Sequence, residues 1–154
     1  MAKIFETASN IVDIVEDMFV SNGLSNYGIG LKVLSLTKAR DVIKISRASA
    51  TTNYLTKNKV DLTMFIYEEA FEKLDDKAQK MLIDMALSNV SYDTEKDKLV
   101  VETNPYASVF QMNKKYGEDF LKSLELSYFI IKDIEEEKKR QKEEEKARKK
   151  QNRD

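Results

Sequence analysis

The sequence predicts an α+β fold: a small mixed sheet of three to five strands, helices packed on it, and a long charged C-terminal helix. Three observations carry this reading. Apolar residues recur at three- and four-residue spacing near both ends of the chain, the period of a helix that buries one face. Between them lie short apolar runs rich in β-branched and aromatic residues, the pattern of buried strands. The 154 residues hold only 4 Gly and 1 Pro with 42% hydrophobic residues, a composition suited to one helix-rich domain with its own core.

The first helix is predicted from Ile4, Phe5, Ala8, Ile11, Val12, Val15, Met18 and Phe19, with Asn22-Gly23 as its C-cap because glycine enters the left-handed conformation cheaply. Gly28-Ile29-Gly30 reads as a turn into two strands, one through Leu31, Val33, Leu34 and Leu36 and one through Val42, Ile43 and Ile45. Residues 49–60 are polar and read as a loop, and Leu62–Tyr67 as a mostly buried strand. A helix follows from Asp75 or Asp76 with Ala78, Met81, Leu82, Met85, Ala86 and Val90 on one face, its acids placed where the helix dipole favours them. Ser91–Asp93 and Leu99–Thr103 bracket a charged turn as a hairpin. Asn104-Pro105 opens another helix, with Pro in the first turn where its missing N–H costs nothing. The last helix starts near Glu118 with Phe120, Leu121, Leu124, Tyr128 and Ile131 as its stripe.

From Lys132 the apolar stripe stops, apart from Ile134 and Ala147, and Glu-before-base pairs at four-residue spacing take over, Glu135–Lys139 and Glu145–Lys149 among them. Each such pair contributes about 0.2–0.5 kcal/mol to a lone helix. The expectation is one globular domain over 1–131 and a solvated helical or frayed tail over 132–154. A coiled coil is disfavoured, since no repeating apolar seam exists to bury.

The chain contains no His and no Cys. This removes the usual ligands of zinc, iron–sulfur and haem, and the commonest general base. No phosphate-binding glycine loop occurs, and the acidic Asp93–Asp97 turn lacks the central Gly and terminal Glu of an EF-hand. The sequence therefore predicts no metal, no cofactor and no enzymatic activity. Acids interrupt the apolar residues of the N-terminal segment, so neither a signal peptide nor a membrane span is expected and a cytoplasmic location is.

One order of elements carries further meaning. Ile43-Lys44-Ile45-Ser46-Arg47-Ala48 leads to Asp61-Leu62-Thr63-Met64-Phe65-Ile66, then Phe71-Glu72-Lys73-Leu74, then the helix segment Lys80–Val90. The hairpin Tyr92–Glu102 comes next, and Asn104–Phe110 leads to Tyr116-Gly117. Over roughly residues 40–120 this resembles the zincin-like metallopeptidases encoded by many phages, relatives of the SprT-like proteases. The resemblance implies a zincin-like core. It also puts Met85 and Asn89 where that family has its two metal-binding histidines and Ala86 at its catalytic glutamate. Asn104 or a neighbour would fall at the third ligand. Zinc hydrolysis needs three protein ligands and a base for the water, so the resemblance implies a pseudoenzyme. The bland reading of Met81, Leu82, Met85 and Ala86 is ordinary helix core; the sharper one is an apolar pocket for a partner, since Met makes an adaptable surface.

Charge is segregated along the chain. Residues 32–60 carry Lys32, Lys38, Arg40, Lys44, Arg47, Lys57 and Lys59 against Asp41 alone, and residues 61–102 carry eleven acids and five lysines. Lys44, Arg47, Lys57 and Lys59 beside Tyr54 form the candidate partner-binding set. The expected function is non-catalytic binding of another protein, as a phage-encoded accessory or host-directed factor in the bacterial cytoplasm. The alternative is nucleic-acid binding through the basic segment, where Lys and Arg meet phosphates and an aromatic ring stacks.

Overall fold

The computed structural model describes residues 2–57, 59–102 and 104–153. Its order is β1 (Ile4–Glu6), α1 (Ser9–Asn22), a 3-10 turn (Leu24–Tyr27), β2 (Leu31–Leu36), β3 (Ile43–Arg47), α2 (Ala50–Leu55), β4 (Leu62–Tyr67) and α3 (Glu68–Phe71), then α4 (Asp76–Ser88), β5 (Val90–Asp93), β6 (Lys98–Val101), α5 (Pro105–Tyr116) and α6 (Glu118–Gln151). Four strands form one mixed sheet in the order β1-β2-β4-β3. β1 runs antiparallel to β2, β2 parallel to β4, and β3 antiparallel to β4. The hairpin β5–β6 forms a second, two-stranded sheet.

β4 is central because it is apolar on both faces. Leu62, Met64 and Ile66 are fully buried on one side, and Tyr67 is buried at the end of the other. Strand alternation and register place Val33 and Ser35 of β2 and Ile43 and Ile45 of β3 on the same face as Leu62, Met64 and Ile66. α4 packs against β3, α1, α5 and α6, so Ala78, Met81, Leu82, Ile83, Ala86 and Leu87 are all buried. Asp75 caps α4, its carboxylate accepting the Ala78 N–H at 2.7 Å.

Gly30 is required by close approach. A Cβ there would stand 1.7 Å from the Lys59 carbonyl oxygen. The Gly30 carbonyl accepts the Asp61 and Leu62 N–H groups, and the Asp61 carboxylate accepts the Gly30 N–H at 2.9 Å. Asp61 thus ties β4 to β2. Ser35 sits fully buried, donating to the Glu68 carboxylate at 2.6 Å and accepting from the Thr7 hydroxyl at 2.9 Å.

Four sequence expectations change, the first being Val90, which opens β5 instead of closing the face of α4 because the helix ends at Ser88. Ile4 and Phe5 belong to an edge strand rather than to α1, and they are 60% and 41% exposed; the helix stripe begins at Ile11. Residues 49–60 contain α2, started by Ser49, whose hydroxyl accepts the Thr52 N–H at 3.0 Å. Short hydroxyl residues mark caps as readily as loops, and here Ser49 is a cap. On α6 the buried line is Phe120, Ser127, Ile131 and Ile134, while Leu121 and Tyr128 are 42% and 48% exposed. α6 runs unbroken through residue 131, and Ile134 is in the core. Beyond it, Lys138 pairs with Glu69 at 3.0 Å and lies over the Tyr67 ring.

Candidate binding cleft

β3 is the edge of the sheet, and its pairing pattern decides which backbone groups are free. The Tyr67 N–H bonds to the Val42 carbonyl and the Ala48 N–H to the Asp61 carbonyl. Antiparallel pairs alternate between bonded and non-bonded. Val42, Lys44, Ser46 and Ala48 therefore turn their backbone groups toward β4, and Ile43, Ile45 and Arg47 turn theirs outward.

Beside that edge lies a cleft of about 850 Å³. α4 supplies its floor through Leu82, Met85, Ala86 and Asn89; the end of β6 and the start of α5 supply Val101, Glu102, Asn104 and Tyr106; α6 supplies Leu124, Ser127 and Tyr128. Its lining is mostly apolar. It is clasped at both ends of β3. At one end the Tyr128 hydroxyl of α6 donates to the Asp41 carboxylate at 2.9 Å. At the other the Arg47 guanidinium donates to the Leu99 carbonyl of β6. Burial, then the Asp41 carboxylate, pushes the Tyr128 phenol up to about 12.

Among the described residues, a cleft-lining side chain, Asn89, holds an unsatisfied polar atom. Asn89 ends α4, and its main-chain carbonyl accepts the Glu102 N–H, which fixes the hairpin. Its side-chain oxygen is buried without a hydrogen-bond partner. Such an acceptor costs about 1–3 kcal/mol.

The structure gathers part of the predicted site set. Met85, Ala86 and Asn89 share the cleft floor, one helical turn apart. Met85 is only half-buried, since it faces the cleft rather than the sheet. Lys44 and Arg47 both border the cleft, but their side chains leave opposite faces of β3, being three positions apart on a strand, and of the two it is the Arg47 guanidinium that clasps the cleft. Tyr54 stands 81% exposed on α2, Lys57 is left-handed with φ 56° after α2, and Lys59 is exposed just before β4. None of these three lines the cleft, so the five residues do not make one surface. Asp41, Leu124, Ser127 and Tyr128 went unnoticed in the sequence as cleft residues. Tyr128 fits the predicted core stripe of α6 but sits off its centre, which is why it reaches the cleft.

Among the described residues, no three His, Cys, Asp or Glu side chains converge as a metal site, and no helix is long and apolar enough to cross a membrane. No protein-family model, curated protein or solved structure matches the chain.

Proposed function

We propose that this chain is a non-catalytic interaction protein that holds an extended segment of a partner protein in the cleft. One observation carries the reading: the outward N–H and C=O groups of Ile43, Ile45 and Arg47 run along an open, mostly apolar cleft. An added strand gains main-chain hydrogen bonds from such an edge and selectivity from pockets for alternate side chains. Side chains of that strand pointing inward meet the α4 floor at Met85. The chemistry of the lining supports a binding role over a catalytic one, because Met85 and Ala86 offer neither ligand nor base. On this reading the zincin-like resemblance describes a pseudo-metallopeptidase, phage-encoded and host-directed, whose cleft was kept for binding in the host cytoplasm.

The test is a screen of immobilised protein against a peptide library, followed by hydrogen exchange on the complex. We expect binders whose affinity falls at least tenfold with Met85→Lys, a change at a half-exposed site that leaves melting near the parent value. The amides of Ile43, Ile45 and Arg47 should gain protection on binding. Binders indifferent to Met85→Lys, with no protection along β3, would remove the cleft from the account.

A further inference from the structure

The opposite face of the same sheet carries a second site. Alternation places Lys32, Leu34 and Leu36 of β2, Phe65 of β4 and Lys44 of β3 on the side turned away from Leu62, Met64 and Ile66. Leu34, Phe65 and Lys44 lie in one cross-strand row. Leu34, Leu36 and Phe65 are only half-buried, so the middle of this face is open. A groove of about 420 Å³ runs over it, with Ile4, Leu36 and Phe65 in its lining and Lys38, Arg40 and Lys44 beside them. Lys32 is paired with Glu6 at 3.1 Å. Lys38, Arg40 and Lys44 enter no ion pair among the described residues. Among the described lining residues the acid is Asp41, whose carboxylate keeps its charge and accepts the Tyr128 hydroxyl from the cleft side.

We propose that this groove binds single-stranded nucleic acid, with phosphates on Lys38, Arg40 and Lys44 and a base against Phe65. The pairing of features selects the ligand. Three unneutralised cations around an aliphatic and aromatic floor suit a chain that alternates charged phosphates with flat uncharged bases. A duplex keeps the faces of its bases stacked inside and presents phosphates and groove edges, so it forfeits stacking on Phe65. An acidic peptide meets the cations but has no flat apolar group for the floor. The charge segregation of the sequence finds its use here: of the seven bases in residues 32–60, the fold collects three on one groove and sends Arg47 to the other side of the sheet. The groove and the cleft have different floors and share Asp41 and Lys44 at the β3 edge between them, so Met85, on the cleft floor alone, tells the two sites apart.

The experiment is fluorescence anisotropy with a labelled oligo(dT) and a labelled duplex of equal length, each titrated over a salt series. Three phosphate contacts at about 0.7 per contact predict a slope of log affinity on log salt near −2 for the single strand. The double variant Lys38→Glu/Lys44→Glu, at exposed positions, should weaken binding at least tenfold and flatten that slope. Phe65→Leu keeps an apolar residue in the sheet and should weaken the single strand several-fold while leaving the duplex unchanged. Met85→Lys should leave oligonucleotide binding as it is, which separates this site from the cleft. No measurable oligonucleotide binding, or binding untouched by Lys38→Glu/Lys44→Glu, overturns the proposal. So does equal affinity for duplex and single strand with no effect of Phe65→Leu, which would reduce the face to general charge attraction. Competition by poly-glutamate at the affinity of the oligonucleotide would reassign the groove to an acidic protein segment.

Discussion

Tyr128 shows how much one side chain off the centre of a helix stripe decides. Its ring closes one end of the cleft, and its hydroxyl ties α6 to the loop before β3 through Asp41. The folded protein holds this phenol protonated up to about 12, whereas an unfolded chain releases the proton near 10. A folded pKa above the unfolded one gives stability that is complete below pH 10 and lost as pH rises toward 12. Thermal melts of parent and Tyr128→Phe should therefore differ by a constant amount from pH 7 to 9.5, with the parent losing its margin between 10 and 12. A margin unchanged through pH 12 would mean that Tyr128 titrates normally and that the clasp is not closed. Gly30 makes the complementary point about absence. Because a Cβ would stand 1.7 Å from the Lys59 carbonyl, Gly30→Ala must push two backbone segments apart. We expect a loss of at least about 2 kcal/mol in urea unfolding, and a neutral result would show that the β2–β4 junction yields.

The elements divide between those written locally and those that needed partners. α4 announces itself by an Asp cap, acids in its first turn and a dense apolar face, and α5 by Asn104-Pro105. β1 has no such mark. Three residues make a strand only because β2 offers them an edge, so Ile4 and Phe5 were read into the adjoining helix stripe. α6 carries both kinds of information. Its first half is anchored by Phe120, Ser127, Ile131 and Ile134, and its second half contains internal pairs such as Glu145–Lys149 at 2.8 Å, worth little each in solvent. Removing residues 142–154 should leave the melting temperature nearly unchanged. Ending the chain at residue 130 strips out Ile131 and Ile134, each contributing about 1.5–3 kcal/mol by burial, and should lower it by 10 °C or more. A large loss from the shorter deletion would show that the distal helix packs on something.

At the scale of the whole molecule the sheet separates two surfaces. α4 packs against β3 and α1 against α4, and the clasped cleft opens beside the β3 edge; the other face keeps a half-buried apolar floor among cations. Each surface draws on residues far apart in sequence. Asp41 and Tyr128 stand 87 positions apart, and Arg47 reaches Leu99 across 52. On α4 the cleft is floored by Met85, Ala86 and Asn89, and the packing of α5 and α6 beside them leaves a cavity rather than solid core.

What the sequence determined by itself is what local physics reads: the α+β class, strands wherever apolar runs are short and β-branched, helices wherever caps and a 3.6-residue period coincide, and the lack of imidazole and thiol chemistry. It also put Met85, Ala86 and Asn89 on one side of one helix, because that spacing is a property of the helix alone. Tertiary structure decided the rest. The strand order β1-β2-β4-β3 left β3 an edge, and edge status is a relation between strands rather than a property of one. Strand alternation parted Lys44 from Arg47, although their nearness in sequence grouped them. The cleft exists only because α6 returns to stand opposite β3, a long-range arrangement that no local pattern encodes.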